Sequence, residues 1–211
     1  MLQIRRSLLA MLVCASIAGA QTAATEKKVV LFLGDSLAAG AGVQPQQAFP
    51  ALVEQKMHES GLDYEVVNGG VSGDTTAGGL RRMDWLLQRK IDVLVLELGG
   101  NDGLRGQPVA NIKANLQAMI DKAKAKEPDV QIVVTGMQMP PNVGADYAEQ
   151  FRQVFFDVAK ENNAAMIPFL LEGVGGIREL NQPDLIHPNP AGHRIVADVV
   201  WKTLEPLLRQ N

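Results

Sequence analysis

The fold class predicted by this sequence is a three-layer α/β/α sandwich around a five-stranded parallel sheet, and three observations lead to it. Five short apolar runs alternate with longer segments whose apolar residues recur at helical spacing. The strongest runs, over 29–33 and 91–98, are nearly continuous rather than strictly alternating, as in strands covered on both faces. A length of 211 residues suits one ordinary domain with a substantial core. Strands that alternate with helices form a parallel sheet, and right-handed crossovers leave few topologies, of which the flavodoxin-like order 2-1-3-4-5 is the expected one.

The elements follow in order. A polar linker over 21–27 leads into the domain, 28–211, and its first strand over 28–33. Phe49, Leu52, Val53 and Met57 set a helical period over 45–60, closed by Gly61. A short strand over 64–67 ends in Asn68-Gly69-Gly70, and Leu80, Met83, Leu86 and Leu87 mark a helix over 75–90. The most apolar strand, 91–98, stops at Gly99-Gly100-Asn101-Asp102. Pro108 suits the first position of a helix over 108–126, and a fourth strand over 130–135 precedes a Gly/Pro-rich loop. A helix over 145–162 is followed by a strand over 164–170, which Pro168 assigns to a sheet edge. An irregular stretch then leads to a closing helix over 190–210.

Residues 1–20 read as a cleavable secretory signal of bacterial type. Arg5 and Arg6 form a basic start, 7–17 is apolar but too short to span a bilayer, and Ala18-Gly19-Ala20 is a small-residue cleavage site. The expected location is therefore the periplasm or the exterior. The only cysteine, Cys14, lies in this segment, so a processed chain has no disulfide, no cysteine nucleophile and no cysteine-ligated metal. Cleavage removes two Arg and no acid, which takes the formal net charge from -3 to -5. Nothing in that balance favours a nucleic acid or an anionic membrane as partner, and stable membrane insertion is not expected after cleavage.

In a parallel sheet all carboxyl ends share one rim, where ligands bind. Ser36 follows the first strand in Gly34-Asp35-Ser36, as a nucleophile would, although a serine there also suits a helix cap or turn. Asp35, its immediate neighbour, reads as a turn or hydrogen-bonding residue. A serine nucleophile needs a base, and there are three histidines. His58 sits among polar residues on the first helix, and His193 opens the last helix, where capping or packing is its ordinary role. His187 alone has an acid three residues before it, Asp184, close enough in one turn to reach Nδ1. Gly73, through its backbone N–H, and Asn101, through its side-chain amide, can join the Ser36 N–H as oxyanion donors. Glu97 interrupts an apolar strand near the rim and reads as a paired structural acid, with a catalytic role as the alternative.

These blocks, Gly34-Asp35-Ser36-Leu37, Gly73, Gly99-Gly100-Asn101-Asp102 and Asp184-Leu185-Ile186-His187, resemble the successive motifs of the GDSL, or SGNH, hydrolase family. They occur in family order and span nearly the whole domain. The resemblance implies a catalytic triad of Ser36, Asp184 and His187, an oxyanion hole of Ser36, Gly73 and Asn101, and no metal or other cofactor. It is strongest toward small secreted bacterial enzymes described as acyl-CoA thioesterases, arylesterases and lysophospholipases. A small acyl ester or thioester is the implied substrate, and a monomer is the implied state. Leu104 and Arg105, with Met137, Met139 and Pro140 of the variable loop, are the expected substrate contacts, Arg105 toward an anionic head group.

Three other readings compete. A carbohydrate acetyl esterase of the same fold would use the same triad, but two Trp and two Tyr offer few platforms for sugar stacking. A dinucleotide-binding protein is disfavoured because residues 34–42 lack the G-x-G-x-x-G spacing. A non-catalytic acyl-binding protein would not need the Ser, Asn and Asp–His set together.

Overall fold

The computed structural model describes residues 27–210, so the expected signal and most of the linker lie outside the described residues. Strand β1 (Lys28–Gly34) runs directly into a one-turn helix, α1 (Ser36–Ala39). Helix α2 (Phe49–Glu59) and strand β2 (Tyr64–Asn68) follow, then α3 (Thr76–Leu86) and β3 (Val93–Glu97). A second short helix, α4 (Gly100–Leu104), leaves β3, and α5 (Val109–Lys126), β4 (Gln131–Thr135) and α6 (Ala145–Asn162) succeed it. The chain closes with β5 (Ala165–Ile167) and α7 (Pro190–Leu208).

The five strands form one parallel sheet in the order β2-β1-β3-β4-β5, as the sequence predicts. Helices cover both faces: α2 packs on α7, while α3, α5 and α6 pack in series as the other layer. Every residue of β3 is buried, which explains its near-continuous apolar run. An edge-to-face aromatic pair anchors each helical layer, Phe32–Phe49 at 5.6 Å and Phe151–Phe155 at 5.2 Å. Such pairs add about 0.5–1.5 kcal/mol beyond the area they bury.

Several boundaries differ from expectation, and for three of them the reason is local. The helix expected from 45 starts at Phe49, after a separate 3₁₀ turn over Pro45–Gln47. Pro50 has no N–H for a helix running on from 45, and it is accommodated only in a first turn, where no intrahelical donor is required. Pro108 is the cap rather than the first residue of α5, with extended backbone at ψ 129. Strand β5 is an edge strand, as Pro168 requires, but only three residues long.

Candidate active site

Strands β1 and β3 end side by side, with Gly34 in register with Glu97. Each then turns into a one-turn helix, and these two helices carry Ser36 and Asn101. A four- or five-residue helix has too few residues to show a period, so neither α1 nor α4 is legible as apolar spacing. Asp35 is the cap of α1: its Oδ1 accepts the Leu37 N–H at 3.0 Å. Its Oδ2 accepts from the Asn101 amide at 3.0 Å, which ties the two short helices together. An amide nitrogen has two hydrogens, so Asn101 keeps one for another acceptor. Burial raises the Asp35 carboxyl to about 6, although the Leu37 N–H and the Asn101 amide both favour its ionised form.

Asp184 and His187 reach the same rim from the loop before α7. His187 Nε2 lies 2.9 Å from Ser36 Oγ, and His187 Nδ1 lies 2.6 Å from Asp184 Oδ2. The other carboxylate oxygen, Oδ1, accepts the backbone N–H groups of Ile186 at 2.9 Å and His187 at 3.0 Å. These bonds, led by the His187 backbone and ring, lower the Asp184 carboxyl to about 2. The turn between them forces Leu185 into the left-handed region at φ 58, where a β-carbon crowds the backbone. Among the described residues, the sequence-predicted Asp184, His187 and Ser36 thus form one unbroken hydrogen-bonded chain.

Gly73 lies in the exposed loop after β2, at φ 80, a backbone region that favours glycine. The loop is moored to β1 by Gly69 N–H to Phe32 O and by Val71 N–H to Gly34 O. Gly70 passes so close to α1 that a β-carbon there would sit 2.3 Å from the Ala39 nitrogen. Arg82, on α3, pairs with Asp74 at 2.7 Å and donates to the carbonyls of Gly69 and Gly34. It therefore clamps together the loops that carry Ser36 and Gly73, a role the motif reading misses. The available signal is positional: Arg82 falls three residues after Gly79 and four before Leu86, on the stripe of α3 that is otherwise buried.

The expected substrate contacts separate into two groups. Leu104 is 55% exposed, and Pro140 is exposed beside half-buried Met139. Met137 instead packs in the core and is only 4% exposed. Met139 packs against α4, where a β-carbon on Gly103 would lie 2.6 Å from its sulfur. Gly103 is therefore a packing glycine. Arg105 donates to the Gly73 carbonyl at 3.1 Å, so its guanidinium braces the glycine loop. Arg105 also lines an open cavity of about 510 Å³, together with Asp102, Gln107, Asn111 and Asn115 among others.

The two remaining histidines are accounted for elsewhere. Exposed His58 contacts the Tyr64 carbonyl at 3.3 Å. Buried His193 accepts the Phe49 N–H on Nδ1 at 3.2 Å and so caps α2, which has no side-chain cap of its own. Burial, with His187 nearby, lowers His193 to about 4 from its ordinary 6.5. Its stabilising contribution is thus complete above pH 6.5, where both states are neutral, and declines as pH falls toward 4, where only the unfolded chain takes the proton. The expected loss at pH 4 is about 3 kcal/mol. Urea titrations between pH 7 and 4 should show that loss in the wild type and not in His193→Asn, which retains an acceptor.

A parallel sheet in 2-1-3-4-5 order with a Ser–His–Asp chain at its carboxyl rim defines the class of SGNH-type ester hydrolases. The sequence profile of the GDSL-like Lipase/Acylhydrolase family matches residues 32–195, and the chain belongs to that family. It is 43% identical over 182 residues to Esterase TesA of Pseudomonas aeruginosa, covering 86% of this chain and 90% of that protein. It is 35% identical over 183 residues to Thioesterase 1/protease 1/lysophospholipase L1 of Escherichia coli K12, covering 86% of each. The crystal structure of TesA superposes with a TM-score of 0.82 at 43% identity, covering 85% of this chain and 99% of that one. The protein is accordingly an enzyme, a carboxylic ester hydrolase of the serine type. Among the described residues, no helix is long and apolar enough to cross a membrane.

Proposed function

We propose that the protein is an exported esterase and thioesterase that works through a Ser36–His187–Asp184 triad and an acyl-enzyme. The observation that carries this reading is the continuous hydrogen-bonded chain from Asp184 through His187 to Ser36. Asp184 fixes the tautomer in which Nδ1 carries the proton, leaving Nε2 free to accept. As Ser36 Oγ attacks the carbonyl, His187 Nε2 takes its proton, and the carbonyl oxygen becomes the oxyanion. The donors are the Ser36 N–H, the Gly73 N–H and the uncommitted hydrogen of the Asn101 amide. Among the described residues, the Ser36 N–H has no acceptor within the protein, which supports its assignment to the hole. His187 then protonates the leaving alcohol or thiol and activates the water that releases the acid. The chain acts as a monomer after its signal, 1–20, is removed in the periplasm or on secretion.

The surface supports an acyl substrate. Three of the four segments that supply site residues also expose apolar side chains: Val71 before Gly73, Leu104 after Asn101, and Leu185 and Ile186 between Asp184 and His187. Burying one leucine against an alkyl chain contributes about 1.5–3 kcal/mol. Leu104→Ser should therefore lower kcat/KM for p-nitrophenyl decanoate about 10-fold while leaving the acetate within about 2-fold, given that contribution. Equal losses on both esters would remove Leu104 from the acyl site. The reading as a whole is tested by p-nitrophenyl esters from C2 to C12 assayed beside acyl-CoA and lysophospholipid. Turnover of short and medium acyl groups is expected, and inactivity on every acyl ester and thioester would contradict it.

A further inference from the structure

Glu97 stands where an apolar residue would be expected. It ends a strand of Val and Leu, it is fully buried, and among the described residues no cation pairs with it. Its partners are backbone N–H groups. Oε2 accepts the N–H of Asp35 and the N–H of Ala38, each at 3.1 Å, while Oε1 is buried with no partner. Such a group is expensive to bury, since a desolvated carboxyl with an open oxygen costs several kcal/mol against an apolar residue of similar size. The fold also makes room for it. A β-carbon on Gly34 would lie 2.3 Å from Oε2, so the nucleophile turn can sit over the carboxyl only because residue 34 is glycine.

The two N–H groups that Glu97 holds flank Ser36 in the chain. Around this turn, Asp35 Oδ1 takes the Leu37 N–H, the Asp35 carbonyl takes the Ala39 N–H, and Glu97 takes those of Asp35 and Ala38. Only the Ser36 N–H is left unclaimed. In an ordinary capping box, a Glu within the first turn returns to the cap N–H. Here the Glu comes from the neighbouring strand and fixes the turn from below.

We propose that Glu97 is a positioning residue for ester hydrolysis, holding the Asp35–Ala38 turn so that Ser36 Oγ faces His187 and the Ser36 N–H faces the oxyanion. The inference rests on the reading of Ser36 as nucleophile. Glu97 Oε2 acts as the oxygen acceptor for both N–H groups; burial, then the neighbouring Asp35 carboxyl, raises the Glu97 carboxyl, while those two N–H groups lower it.

The test compares Glu97→Leu and Glu97→Gln by kcat and KM on p-nitrophenyl butyrate, by the rate of fluorophosphonate labelling and by Tm. Leu removes the acceptor at similar volume, and Gln restores it. Glu97→Leu should lose about 10²-fold in kcat and in labelling rate with little change in KM, the scale of a small misplacement of reacting groups. Glu97→Gln should recover kcat to within about 5-fold, as the amide retains an oxygen that can accept both N–H groups. A Glu97→Leu enzyme that is less thermostable but turns over at the wild-type rate would overturn the proposal, as would Glu97→Gln losing as much as Leu. If Glu97→Leu does not fold, Glu97→Asp decides: one methylene shorter, it should lose at least about 10-fold in kcat on the same misplacement argument, and wild-type turnover would refute the role. Wild-type protein that is not labelled at Ser36 would instead refute the nucleophile reading, so the two failures are distinct.

Discussion

Replacing His187 with Ala should reduce kcat for p-nitrophenyl butyrate by about 10⁵–10⁶, the scale seen when the base of a serine triad is removed. Among the described residues, the only ring nitrogen beside Ser36 Oγ is His187 Nε2, at 2.9 Å. Without it the hydroxyl must lose its proton to water during attack, and the leaving group must depart unprotonated. The fold should tolerate the change. His187 lies on a surface loop with its side chain 26% exposed, and its backbone carbonyl still accepts the Gln182 N–H. Steady-state kinetics with circular dichroism on the same sample checks both parts. Added imidazole should restore some activity by occupying the vacated space. A loss below about 10²-fold would mean that another group is the base, since a positioned general base alone contributes at least that much.

Asp184→Asn is expected to lower kcat by about 10³–10⁴ with KM little changed, because the wrong histidine tautomer is then favoured. The carboxylate uses both oxygens: Oδ1 accepts two backbone N–H groups, and Oδ2 accepts from His187 Nδ1. An amide can satisfy only one of these demands with its oxygen. If the oxygen serves the two backbone donors, the NH₂ group points at Nδ1 and turns it into an acceptor. The ring proton then moves to Nε2, where it blocks acceptance from Ser36. Asp184 is 43% exposed, so solvent screens part of its charge and the orienting bond carries most of the effect. Single-turnover kinetics of acylation measures this step directly. A loss under about 10-fold would show that His187 is oriented by something other than Asp184, given the effect a mis-set tautomer has.

Much of this site is written in local sequence. Ser36, Gly73, Asn101, Asp184 and His187 each sit at a strand end or in a loop set off by Gly or Pro, and such punctuation survives without knowledge of tertiary contacts. The sheet order was legible for a related reason. Each strand is a short apolar run closed by a turn, and each crossover is long enough to hold a helix.

What remained hidden depends on contacts between residues far apart in the chain. Nothing local indicates that Arg82 reaches back to Gly34, that His193 caps a helix 144 residues away, or that Glu97 serves the backbone of the Ser36 turn. Met137 illustrates the converse error. Its loop composition suggests an adaptable wall, yet it lies two residues past the buried end of β4 and packs in the core. Nor does local sequence show that Arg105 donates to the Gly73 carbonyl, 32 residues away.

The central claim is that Ser36 Oγ is the nucleophile, activated by His187. The most direct measurement is intact-mass analysis after reaction with a fluorophosphonate, with the modified peptide sequenced. The account predicts one adduct per chain, on Ser36, absent in Ser36→Ala and formed far more slowly in His187→Ala. An adduct on a different residue, or equal labelling of Ser36→Ala and wild type, would contradict it.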